Sequence, residues 1–291
     1  MKIMFKFLIA LSLVFFAVNM QAQKNDDEVT ESSTPDDTKY LDDIVERTLT
    51  LESKVLPYES LRESDLPWSK KVWRIIETRE KVNIPFRNPV RAFFTILVDK
   101  INEGKIAAFK DDMFKERMSQ EDVRGEIFRI DSVPFYDPET YEETIKITES
   151  EINPEDIKRF RIKEVWYFDK EASVFKVRIL GISPLREVMD DATGELKYEM
   201  PLFWVYYPEL REYLSSEAVP SDYNDSYPMT WYDLFENRMF SSYIMKINNV
   251  LDLRIEHNFD QNSDTYHMDI LLESERIKEE LFNFEHDLWS Y

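Results

Sequence analysis

Phe160-Arg161-Ile162-Lys163-Glu164-Val165-Trp166-Tyr167-Phe168-Asp169, then Val174-Phe175-Lys176-Val177-Arg178-Ile179-Leu180-Gly181-Ile182, is the stretch that decides how this chain is read. In the first run the even positions Phe160, Ile162, Trp166 and Phe168 are apolar, with Glu164 breaking the series. In the second, Phe175, Val177 and Ile179 alternate with Lys176 and Arg178. A period of two sends alternate side chains to opposite faces. Both runs therefore predict strands with one buried and one wet face, joined as a hairpin by Lys170 to Ser173. Asp191-Ala192-Thr193-Gly194 predicts a second turn, between Leu185–Asp190 and Glu195–Tyr207. Leu202 to Tyr207 is apolar on both faces and predicts a central strand. Pro201, which cannot donate to a ladder, predicts an edge or a bulge just before it.

On either side of this meander the period changes to that of a helix. Leu66 to Phe86 predicts one, capped by Ser64 or Asp65, with Pro67 at its first turn and Asn83 and Pro85 ending it. Trp68, Val72, Ile75, Ile76 and Arg79 fall at helical spacing along one face. A second helix is expected from about Asn88 to Glu103, with Gly104 as its C-cap and Phe93, Phe94, Leu97, Val98 and Ile101 on its apolar side. Gln120 to Arg124 and Glu209 to Ser215 read as short helical pieces. Thr230 caps a further helix in which Trp231, Leu234, Phe235, Met239, Tyr243 and Ile247 recur at helical spacing. Leu271 to Trp289 is amphipathic, with Leu272, Ile277, Leu281, Phe284 and Leu288 near one face. The fold class expected is α+β, with helices at both ends flanking a central antiparallel β meander.

The first 22 residues read as an address. Lys2 and Lys6 precede a short apolar run, Phe7 to Val18, and Met20-Gln21-Ala22 supplies a small-residue cleavage site, the order of a secretory signal peptide. The run is shorter than the about 20 residues a bilayer span needs. No cysteine occurs anywhere in the chain, so N-terminal lipidation, disulfides, zinc–thiolate sites and thiol nucleophiles are all excluded. Residues 23–43 are acidic and interrupted by Ser32-Ser33-Thr34-Pro35, and read as a flexible tether or as an arm for a basic partner. Residues 44–291 are expected to form a single α+β domain. The formal net charge of −21 disfavours nucleic acid and anionic lipid as partners, since both bind through Lys and Arg. Only four glycines are present, all isolated, so no phosphate-cradling loop can be assembled.

Catalytic chemistry has little to stand on. His257, His267 and His286 are the only histidines, and no two lie at a ligand spacing such as i,i+4. Asp260, Asn262 and Asp264 imitate the oxygens of a calcium loop but lack its glycine and its closing Glu. Asp111-Asp112, Glu142-Glu143 and Asp190-Asp191 could serve a glycosidase, although paired acids are common in so acidic a chain. Neither a metal nor another cofactor is implied. The unusual feature is aromatic content, 14% of the chain, in clusters such as Trp68/Trp73, Phe203/Trp204/Tyr206/Tyr207 and Tyr227/Trp231/Tyr232. Aromatic rings anchor both cores and interfaces.

Three segments together carry a resemblance. Trp68-Ser69-Lys70-Lys71-Val72-Trp73-Arg74-Ile75-Ile76-Glu77-Thr78-Arg79-Glu80-Lys81-Val82-Asn83-Ile84-Pro85 is similar to the first conserved motif of the gliding-motility family GldN, also called PorN, with Glu77-Thr78 in place of Asp-Leu. Gly181-Ile182-Ser183-Pro184 and Pro201 to Pro208 resemble its central motifs, and Thr230 to Ile244 its C-terminal one. The resemblance implies a non-enzymatic periplasmic component of the type IX secretion and gliding machinery, held at the outer membrane. It further implies a ring built with a lipoprotein of the GldK/PorK type and engaged by the periplasmic part of a GldM/PorM-type motor protein. A ring requires head-to-tail contacts. Trp68, Trp73, Trp231 and Phe240 are the candidate interface residues, with core packing as the competing role for each. A glycan- or peptide-binding protein and a carboxylate-dependent hydrolase are the alternatives.

Overall fold

The hairpin forms where the alternation puts it. In the computed structural model, which describes residues 54–136, 143–190, 194, 196–221, 229–261 and 263–288, strand β5 (Arg159–Asp169) turns through Lys170–Ser173 into β6 (Val174–Met189). Ser173 takes a left-handed φ of 54° to close the turn. Asp169 accepts hydrogen bonds from the backbone N–H groups of Glu171 and Ala172 and from Lys176. The expected signal peptide and acidic tether, residues 1–22 and 23–43, lie outside the described residues, as do Asp191 to Thr193 of the second turn.

Around the hairpin a seven-stranded antiparallel sheet is ordered β2-β8-β6-β5-β1-β9, with β7 also on β6. Its other strands are β1 (Trp68–Glu77), β2 (Ala108–Phe109), β7 (Leu196–Pro201), β8 (Trp204–Tyr206) and β9 (Tyr243–Ile247). A separate hairpin pairs β3 (Phe128–Tyr136) with β4 (Glu143–Glu151). Pro201 does interrupt the pairing: β7 ends on it, and the chain rejoins β6 as β8, which β2 flanks on the other side. The expected central strand from Leu202 to Tyr207 is thus only its middle, Trp204–Tyr206. The helices are α1 (Phe93–Asn102), α2 (Gln120–Ile127), α3 (Tyr207–Leu214), α4 (Trp231–Glu236) and α5 (Tyr266–Leu288). The class is α+β.

Two expected helices give way wholly or in part to strands. Trp68–Glu77, read as helix, is β1, paired with β5 along its whole length and with β9 on the other side. Val72 to Ile76 are buried without a break because this strand is central and both of its faces are covered. A run buried on both faces loses its alternation, so a helical period can be fitted to it by chance. The residues Lys81–Arg87 that come next form a 3-10 segment with Pro85 inside it. The helix capped by Thr230 ends at Glu236, not at Ile247. Arg238 adopts a left-handed φ of 54°, which an α-helix cannot contain, and Tyr243–Ile247 then joins the sheet as β9. The Thr230 cap itself is as expected, a capping box closed with Asp233.

Cross-strand partners share a face, so the register sorts the sheet into two sides. One side carries Ile76, Phe160, Ile162, Ile182 and Val205 into the main core with α1 to α4. Phe86, Phe93, Phe160, Trp231 and Phe235 form an aromatic nest there, with ring centroids from 4.7 to 6.4 Å apart. Farther along the same side, Val72 and Ile244 pack under Ile277 and Leu281 of α5. Ser274 of that helix accepts the buried Ile244 N–H at 2.7 Å. Glu164, the break in the alternation, also lies here, fully buried. It accepts hydrogen bonds from Arg238 at 2.8 Å and from the Trp166 indole at 3.1 Å.

Candidate contact surfaces

The other side of the sheet carries Trp73, Ile75 and Glu77 on β1, Arg159, Arg161 and Lys163 on β5, Gly181 on β6, and Trp204 and Tyr206 on β8; of these, the β5 residues are the ones the alternation assigns to solvent. It is roofed by loops, not helices. Phe114, in the loop after β2, lies so close to Gly181 that a Cβ there would meet its ring at 2.5 Å, which is why the strand carries glycine at that place. Asp112 of the same loop accepts the Trp73 indole N–H at 2.8 Å and faces Lys163 Nζ at 3.5 Å. Lys246 lies over the Trp73 ring at 4.5 Å and Lys163 at 5.5 Å, so the indole sits between two ammonium groups. Burial lowers the pKa of Lys163, and Asp112 opposes it.

Between this loop and the segment after β9 lies a cleft of about 290 Å³, with Trp73, Arg161 and Trp204 among its lining and Asp111, Lys246 and Arg254 at its sides. Arg161 is only 8% exposed, and its Nε is buried without a hydrogen-bond partner among the described residues. Burial lowers its pKa, and the nearby Arg254 adds to the effect. The acids that face it are engaged elsewhere, Glu199 with Arg159 and Glu256 with Arg254.

A second surface is apolar. The loop after β9 presents Val250, 101% exposed, with Leu251 and Leu253 beside it. Asn249 holds the loop in shape, accepting the Leu253 N–H at 2.9 Å and donating to the Leu253 carbonyl at 2.7 Å. These side chains border a groove of about 390 Å³ whose far wall is α5, through Ile277, with Glu273, Arg276 and Glu280 at its rim. Met268, Leu271 and Leu272 extend the exposed apolar area along the helix. A hydrogen-bonded loop that holds three aliphatic side chains in water is a candidate contact surface.

The aromatic candidates separate on burial. Trp231 is completely buried in the nest of the main core, out of reach of any partner. Phe240 is half-buried against the same core, 5.7 Å from Phe235. Trp68 is half-buried and stacks on Phe284 of α5 at 4.7 Å. Trp73 shows 7% of its surface, at the cleft. Trp68 and Trp73 project to opposite sides of the same strand, so they cannot form one patch. The acid pair Asp111-Asp112 is taken up by the fold. Asp111 accepts the backbone N–H groups of Glu116, Lys115 and Met113, which hold its pKa below the usual carboxylate range. Glu142, Asp191 and Asn262 lie outside the described residues.

His257 and His267 are exposed. Among the described residues, no group of three His, Cys, Asp or Glu side chains is placed to hold a metal ion, and no helix is long and apolar enough to cross a membrane. Arg161 and Val250–Leu251 were not singled out by sequence reasoning. Alternation alone sends Arg161 to water, and nothing in Asn248-Asn249-Val250-Leu251 reports that the loop is held open.

The described residues thus present an apolar loop beside one groove and a cation-lined cleft on the loop-roofed side of the sheet. The profile of the family described as Gliding motility associated protein GldN matches residues 61–290, most of the chain. The chain belongs to that family, which makes it a component of the gliding-motility and type IX secretion machinery. No curated protein sequence matches it.

Proposed function

We propose that this chain is a non-catalytic periplasmic ring subunit of the type IX secretion machinery. It assembles with an outer-membrane lipoprotein of the GldK/PorK type and meets the periplasmic part of a GldM/PorM-type motor protein. The observation that carries this reading is the family match over residues 61–290. The exposed Val250–Leu251 loop supports it, because a head-to-tail ring needs an apolar patch on each copy that a different patch covers. The leader-like run from Lys2 to Ala22 supports delivery beyond the inner membrane. The acidic surface keeps free subunits soluble before assembly.

Size-exclusion chromatography with light scattering, on the chain from Gln23 with and without the lipid-free lipoprotein, tests the reading. A co-complex that grows into larger assemblies is expected, with Val250→Asp and Leu251→Asp together stopping growth. A monomer indifferent to the lipoprotein would overturn it.

A further inference from the structure

The cleft on the loop-roofed side of the sheet differs in chemistry from the exposed apolar loop on which the assembly reading draws. We propose that the cleft is a receptor for a carboxylate presented by a peptide or protein, with Arg161 as its counter-charge and Trp73 and Trp204 as its apolar walls. A buried guanidinium ordinarily meets hydrogen-bond acceptors from its own chain, because its five donors are costly to leave dry. At Arg161 one of these donors is left dry. Its Nε is buried and unpartnered among the described residues, and the two acids whose charge reaches it, Glu199 and Glu256, are bonded to Arg159 and Arg254.

The walls specify the class of anion. Asp111, Asp112 and Asp252 line the cleft together with Lys110, Lys246 and Arg254. Each of the three acids is already engaged: Asp111 with backbone N–H groups, Asp112 with Trp73 and Lys163, Asp252 with Lys246. Their charge still repels a dianion such as phosphate, whereas a planar monoanion can take the guanidinium fork with less repulsion. A volume of about 290 Å³ admits one or two side chains and excludes a folded element. The indoles of Trp73 and Trp204, both in the lining, suit the methylenes that carry a side-chain carboxylate.

The test is NMR on the full mature chain, following the Arg161 Nε–H and the Trp73 and Trp204 indole resonances. The probes are glutamate blocked at both termini, blocked glutamine, N-acetylglycine and inorganic phosphate. Blocked glutamate is expected to shift all three resonances saturably, and blocked glutamine to leave them in place. Binding by N-acetylglycine in preference to blocked glutamate would support the carboxylate site and assign its source to a chain terminus.

Arg161→Gln is expected to weaken binding by about tenfold or more, the scale of a charge-assisted hydrogen bond. Lys110→Gln, on an exposed wall residue, should weaken it about twofold. Arg161→Met should abolish binding while raising the thermal midpoint, since it removes a buried guanidinium whose Nε has no partner among the described residues; a purely structural arginine would lower that midpoint instead. Equal binding of blocked glutamine, tighter binding of phosphate, no saturable shift with any carboxylate, or unchanged binding by folded Arg161→Gln would each overturn the proposal.

Discussion

The two sides of the sheet share every strand and yet are stabilised by different physics. Under the helices, Phe160 and Ile162 of β5 point into a core of interlocked rings and aliphatic chains. One residue along in each case, Arg159, Arg161 and Lys163 point to the other side, where charges, indoles and loops take the place of a second helical layer. Burying a large apolar side chain contributes roughly 1.5–3 kcal/mol with no dependence on protonation. The loop-roofed side depends on pairs whose strength changes with charge state. Burial by itself therefore does not identify a core: Arg161 and Phe160 are adjacent and both buried, yet the Arg161 Nε has no hydrogen-bond partner among the described residues.

The contrast is most exposed to failure at Trp231. Trp231→Ala removes the centre of the aromatic nest and should cost about 3–5 kcal/mol, measured by urea denaturation, with the same loss at pH 7 and pH 5. A loss near zero would mean that the helical side is not the main core.

On the loop-roofed side the discriminating variable is pH. Burial pushes the Glu77 carboxyl up, but hydrogen bonds from Arg79 and Arg159 outweigh it, and its pKa lies below the usual glutamate value. A lowered folded pKa gives stability that is present above the unfolded value, and that stability is lost as pH falls through the folded one. The urea midpoint of the native chain should therefore fall on acidification below about pH 5. Glu77→Gln should lower stability at pH 7 by about 2 kcal/mol, the worth of its charge-assisted bonds, and flatten this part of the pH dependence. An unchanged slope would detach Glu77 from the pH response.

Ser274→Ala leaves the buried Ile244 N–H without its acceptor and should cost about 1 kcal/mol or slightly more, with hydrogen exchange at Ile244 reporting the loss locally. The smallest effect belongs to the exposed loop. Val250→Asp should change stability by no more than about 0.5 kcal/mol in thermal denaturation, so that any effect on assembly is separable from folding.

The hairpin was legible because one of its faces met apolar side chains and the other met polar ones, which is the arrangement alternation encodes. Capping at Thr230 and the break at Pro201 were legible for equally local reasons: a side chain that bonds its own third neighbour, and a missing N–H. β1 was not. Its core stretch Val72-Trp73-Arg74-Ile75-Ile76 is covered on both faces, so its pattern carries no period of two, and a helical face could be fitted to it. β9 was hidden for another reason. The helical spacing of Met239, Tyr243 and Ile247 continues past Arg238, where the backbone turns left-handed and Arg74 holds Ser242 through two hydrogen bonds of 2.9 Å.

Of the contact residues, the chemistry was legible and the placement was not. Tryptophans at 68, 73 and 231 announce large apolar areas wherever they stand, but only packing sends Trp231 to the centre of the core and Trp73 to the mouth of a cleft. Residue order alone settled the local properties: the hairpin, the caps, the acidic balance, the absence of thiol chemistry and the motifs that resemble the GldN family. Those depend on side chains a few residues apart or on composition. Folding in three dimensions was needed to settle which residues end up buried on both faces, which loop stands exposed, and that the Nε of Arg161 lies beside a cleft without a partner among the described residues. These depend on strands and loops that are distant in the chain, such as β1 against β5 and β9, and residue spacing holds no record of them.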